Sequence, residues 1–63
     1  MSAKKTLQER EQELRPLLAT PAGGDELQEL ASRYYAATGR LKPAGTSTIT
    51  YILVYEREQG LIG

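Results

Sequence analysis

The sequence predicts an all-α protein, a small three-helix bundle, and three features carry that prediction. Thr6-Leu7-Gln8-Glu9 is a capping box: the Thr6 hydroxyl can accept the Glu9 N–H while the Glu9 carboxylate reaches back to the Thr6 N–H. Leu27, Leu30, Ala31 and Tyr34 recur at i, i+3, i+4 and i+7, one apolar face of a helix. Gly39 and Gly60 each stand just behind an apolar stretch, where a left-handed residue ends a helix. The predicted helices run over about residues 6–18, 25–38 and 47–59.

In chain order, residues 1–5 are polar, have no apolar anchor and are expected to form a disordered tail ahead of a single domain, 6–63. Leu7, Leu14, Leu17 and Leu18 share one face of the first helix, and the charged run from Gln8 to Glu13 covers the other. Glu11 and Arg15 are four apart in the favourable order, as are Glu29 and Arg33 further on. Pro16 lacks the N–H that would bond to Gln12. A kink that keeps the leucine stripe continuous is expected there, the alternative being a new short turn that starts at Pro16.

Thr20-Pro21-Ala22-Gly23-Gly24-Asp25 reads as the next connection. Each glycine inside a helix costs about 1 kcal/mol, so the second helix is expected to start at Asp25, with a first turn capped by Thr20 and opened by Pro21 as the alternative. Tyr35 falls beside the main stripe, where it widens the apolar face or meets a partner. From Arg40 to Gly45 the chain turns, and Pro43 biases Lys42 toward an extended backbone.

The densest apolar run lies between Thr46 and Ile62, and two structures compete for it. Its β-branched and aromatic content suits a strand. Yet no other stretch reads as a strand, so the alternative fold is α+β, with residues 46–55 pairing between chains. Helix is preferred: Thr46 or Ser47 offers an N-cap, Ile49, Ile52 and Leu53 fall at helical spacing, Gly60 supplies the stop, and Leu61 is placed to fold back on Tyr55 or Glu56. The expected core is then Leu7, Leu14, Leu17, Leu18, Leu27 and Leu30, with Ala31, Tyr34, Ile49, Ile52, Leu53 and Leu61.

A chain of 63 residues buries only about 60% of the surface it exposes when unfolded, and this one has neither cysteine nor histidine with which to staple a small core. The same absence removes the commonest general base, the thiol nucleophile and the usual transition-metal ligands, so no enzyme, metal or cofactor is expected. Glu9, Glu11, Glu13, Glu56 and Glu58 read as solvated helix faces, and Gly23-Gly24 as a flexible turn without the pattern of a phosphate loop. Eight basic and eight acidic residues cancel and are interspersed, which lowers the expectation of nucleic-acid binding. With no apolar run long enough for a membrane span and no signal-peptide core, the expected location is the cytoplasm.

Four tyrosines and no other aromatic residue point to core edges or interfaces, where a ring is half buried and its hydroxyl stays bonded or wet. From Ile49 to Tyr55 apolar side chains point in every direction around a helix, more than two companion helices can cover. The expected function is therefore protein–protein interaction or self-assembly, as a homodimer joined through the last helix, with Tyr35, Tyr51, Val54 and Tyr55 at the interface.

A second reading starts from Ser47-Thr48-Ile49-Thr50-Tyr51-Ile52-Leu53 followed by Glu58-Gln59-Gly60-Leu61-Ile62, which resembles the recognition helix of bacterial winged helix-turn-helix regulators. The resemblance covers about a quarter of the chain, and it implies that Ser47, Thr48 and Tyr51 face the DNA major groove. Lys42, with Lys4, Lys5 and Arg40, would then meet phosphates. The chain departs from that pattern at Glu56, where those regulators bury a leucine, and in having a turn, Arg40 to Gly45, where their preceding helix belongs. A DNA-binding accessory protein is thus the alternative function.

Overall fold

The computed structural model describes residues 4–63. Three α-helices form the bundle: α1 (Leu7–Leu14), α2 (Pro21–Thr38) and α3 (Thr48–Glu58), with a 3-10 segment (Arg15–Ala19) between the first two. Among the described residues there is no strand, and residues 46–55 are helical from Thr48 on. Of the expected tail, residues 1–3 lie outside the described residues. Lys5 holds the far end of the chain: its carbonyl accepts the Gly63 N–H at 2.8 Å.

The helix starts follow from side chains close in sequence. Thr6 Oγ1 accepts the Glu9 N–H at 3.1 Å and the Glu9 carboxylate takes the Thr6 N–H at 2.9 Å, so both halves of the capping box close. Ser47 caps α3 by accepting the Thr50 N–H at 3.1 Å. The second helix starts earlier than residue 25. Thr20 Oγ1 takes the Gly23 N–H at 3.0 Å and Pro21 occupies the first turn, so Gly23 and Gly24 lie inside α2.

Gly23 is in the helix because it must be small. A Cβ there would stand 2.2 Å from the Leu17 carbonyl oxygen and 2.7 Å from the Leu17 Cα, inside the backbone of the 3-10 segment. The two glycines therefore do not form a flexible turn. They cost helix propensity, and Gly23 lets α2 lie directly on the preceding segment.

Pro16 does not kink a continuous α-helix: α1 ends at Leu14 and a 3-10 segment with Pro16 in its first turn follows from Arg15, close to the short turn given as the alternative. That change corrects the leucine stripe. With three residues per turn, positions i and i+3 align, so Leu17 follows Leu14 inward, whereas Leu18 points out and is 65% exposed. Of the two expected ion pairs, Glu11–Arg15 closes at 3.7 Å on the surface; Glu29–Arg33 is not an ion pair among the described residues.

The core comprises Leu14, Leu27, Ile49, Ile52, Leu53 and Ile62, with Leu7, Leu17, Leu30, Ala31 and Tyr34 packed around it. At the end of α3, Gly60 takes φ +73°. The Leu61 N–H donates to the Glu56 carbonyl at 2.8 Å and the Gly60 N–H to that of Arg57 at 3.1 Å, the paired bonds of a Schellman cap. Leu61, expected in the core, is 57% exposed, and Ile62 turns in instead. The apolar companion such a cap requires is missing at its partner position, because that position is Glu56.

Candidate functional site

The inner side of α3 holds a charge. Glu56, expected on a solvated face, is 3% exposed. Arg10 of α1 grips it with both arms of its fork, Nε donating to Oε1 at 2.8 Å and Nη2 to Oε2 at 3.0 Å, and the Tyr34 hydroxyl of α2 donates to Oε2 at 2.6 Å. All three helices meet on one carboxylate. Arg10 also donates through Nη1 to Glu13 at 3.1 Å, and Lys5 donates to the same Glu13.

The electrostatics follow from these contacts. The Glu56 carboxylate, chiefly through its hydrogen bonds, holds the Arg10 guanidinium protonated well above its usual range. Burial, then the hydrogen bond to Glu56, pushes the Tyr34 phenol up to about 12. Lys5 and then Arg10 hold the Glu13 carboxyl below its ordinary value. Among the described residues no buried side-chain nitrogen or oxygen is left without a partner, so this cluster has no free group aimed at a ligand.

The outer side of α3 is open and carries exposed apolar side chains among polar ones. Val54 is 40% exposed, Tyr35 of α2 44%, and Leu41, in the connection between the two helices, 76%. They border two adjoining hollows. One, about 220 Å³, has Ala31, Tyr35, Lys42 and Thr48 on its walls; the other, about 140 Å³, has Thr38, Pro43, Val54 and Glu58. Leu41 and Tyr51 border both and so mark the centre of the face.

The four tyrosine and valine positions expected at an interface separate into two kinds. Tyr35 and Val54 present free surface. Tyr51 and Tyr55 are half buried: the Tyr51 hydroxyl donates to the Arg40 carbonyl at 2.7 Å, pinning the connection to α3, and the Tyr55 ring stacks on Tyr34 with centroids 3.9 Å apart and planes 17° apart. That stack joins the outer face to the buried Glu56, because Tyr34 belongs to both. Sequence reasoning missed Leu41, although a leucine between Arg40 and Lys42, just ahead of Pro43 and outside any helix, has no intrachain face to join.

Of the residues of the DNA reading, several have polar atoms already bonded within the chain, and Lys5 lies elsewhere, against Glu13. Ser47 Oγ accepts from the Thr50 backbone as a cap, Lys42 Nζ donates to the Thr46 carbonyl at 2.6 Å, and Arg40 holds Glu58 at 3.0 Å. Thr48 is half buried at the hollow's edge. No helix is long and apolar enough to cross a membrane. No protein-family model, curated protein or solved structure matches the chain.

Proposed function

We propose that this protein is a cytoplasmic interaction and self-assembly module, not an enzyme, and that the face around Leu41 and Val54 joins it to a second copy as a homodimer. One observation carries the reading: Tyr35, Leu41 and Val54, drawn from α2, the connection and α3, are exposed around two adjoining hollows that share Leu41 and Tyr51, with polar side chains at their edges. Scattered exposed leucines are ordinary, but a contiguous patch bordered by polar groups is what association sites use. A second copy is the simplest occupant, because two-fold dimers are the commonest way such a patch is buried and a small core gains stability from it. The DNA-binding alternative draws on the same stretch, and the bonds that already occupy the Ser47 and Tyr51 hydroxyls favour the interaction reading over it.

Sedimentation velocity on the wild type and Val54→Glu tests the proposal. The wild type is expected to sediment as a dimer at micromolar concentration and the variant, with an unchanged helical spectrum, as a monomer. A wild type that stays monomeric, or a variant that still associates, overturns it. Titration with generic duplex DNA at low salt decides the alternative: tight binding with a steep salt dependence would replace the interaction reading.

A further inference from the structure

We infer that two copies associate about a two-fold axis through Leu41 and Tyr51, with their α3 helices antiparallel and Lys42 of each copy against Glu58 of the other. This rests on the proposed self-association and adds its geometry. Lys42 lies at the N-terminal end of α3, where its Nζ donates to the Thr46 carbonyl two residues before the helix begins. Glu58 is the last residue of that helix. At a rise of 1.5 Å per residue the two ends stand about 15 Å apart.

Each charge stands at the end of α3 that disfavours it: Glu58 is the last residue of the helix, and Lys42 reaches from the connection to the Thr46 carbonyl, just ahead of its start. The N-terminus of a helix carries partial positive charge and disfavours a lysine, while the C-terminus is negative and disfavours a glutamate. Within the chain this is only partly relieved. Glu58 meets Arg40 in an exposed pair, which water screens, and Lys42 has no carboxylate partner among the described residues. Turning a second copy by half a revolution about the centre of the face removes both mismatches. Lys42 then lies by the negative end of the partner's α3 and next to the partner's Glu58, and the reverse pair closes the other end.

The apolar surface obeys the same operation. Because Leu41 and Tyr51 border both hollows, an axis through them lays the hollow walled by Tyr35 and Thr48 over the one walled by Val54 and Pro43 in the partner. On that axis Leu41 and Tyr51 each meet their own copy, as residues at the centre of an isologous contact do. A parallel arrangement would set lysine against lysine. The chain's eight basic and eight acidic residues leave no net charge to keep two copies apart.

The decisive experiment uses Lys42→Glu and Glu58→Lys in separate full-length chains. Alone, each variant puts like charges at both ends of its homodimer and should associate at least about tenfold more weakly than the wild type. Mixed in equal amounts they should form a heterodimer with opposite charges at both ends, restoring association to near the wild-type strength, as should both changes made in one chain. The differences should shrink as salt is raised. Native mass spectrometry distinguishes the species, and circular dichroism confirms that each variant is folded. A wild type that never dimerises overturns both the self-association reading and this geometry. A wild-type dimer whose single variants associate normally, or whose mixture shows no recovery, overturns the antiparallel pairing alone.

Discussion

The two sides of α3 distribute polarity in opposite ways: the inner side carries a glutamate into the core, and the outer side carries valine into water, beside an exposed leucine from the connection. On the inner side the cost of removing Glu56 from solvent is offset by the bidentate Arg10 bonds and the Tyr34 hydroxyl. Those bonds are directional, so they fix how α1 and α2 are rotated about α3, which a greasy contact of equal area would do less well. On the outer side nothing within the chain offsets the exposure of Leu41 and Val54. The inner side therefore bears on the fold of one copy, and the outer side is the one the proposal assigns to association. Mutations on the two sides should separate these properties.

The largest effect is expected from Arg10→Ala, which strands a buried carboxylate: about 3 kcal/mol of stability by chemical denaturation, at the low end for such pairs because the Arg10 side chain is itself 26% exposed. Arg10→Lys should recover only part, since an ammonium cannot make both bonds of the fork. Leu41→Glu, on the outer side, should change the stability of the monomer by no more than about 0.5 kcal/mol while abolishing association. If the two variants had similar effects on both properties, the division between the sides would fail.

Next comes Gly23→Ala. Ordinarily alanine strengthens a helix, but here the added methyl meets the Leu17 backbone, and a loss of about 2 kcal/mol is expected from overpacking. A stabilised variant would show that the 3-10 segment moves away freely. Gly60→Val should cost more than about 1 kcal/mol, because a β-branched residue resists a φ of +73°.

The smallest effect is alkaline. The folded Tyr34 holds its proton up to about 12, against 10.0 for the free phenol. Its contribution to stability is complete below the unfolded value and is lost as pH rises between the two values, because the unfolded chain gives up the proton first. Denaturation at about pH 9 and about pH 11 should show a decline that is shallower in Tyr34→Phe. Equal declines would mean that the other groups titrating in this range, not Tyr34, set the slope.

What was legible in the sequence was local. Thr6, Ser47 and Gly60 act on backbone groups within a few residues, so their motifs translate directly into helix ends. The apolar periodicity likewise found Leu14, Leu27, Ile49, Ile52 and Leu53. What was not legible depends on distant partners. Glu56 is buried because Arg10 arrives from 46 residues away, and nothing near Glu56 in sequence announces that. Gly23 is needed for the approach of another segment, a reason indistinguishable in sequence from a flexible turn. Leu18 and Leu61 left the core for geometric reasons, a tightened helix in one case and a charged neighbour at the cap in the other. On the outer face, helical phase alone pointed to Tyr35 and Val54. Leu41 lies in the connection, where periodicity has no purchase.

The central claim is that the outer side of α3 stabilises the protein only by joining copies, and the melting temperature measured against protein concentration tests it most directly. Across a range from about 1 μM to about 1 mM, the wild type should melt at progressively higher temperature, as a protein stabilised by association must. Val54→Glu should melt at one temperature throughout, matching the wild type at its most dilute, and Arg10→Ala should melt lower at every concentration while keeping the wild-type slope. A wild-type melting temperature independent of concentration would contradict the claim.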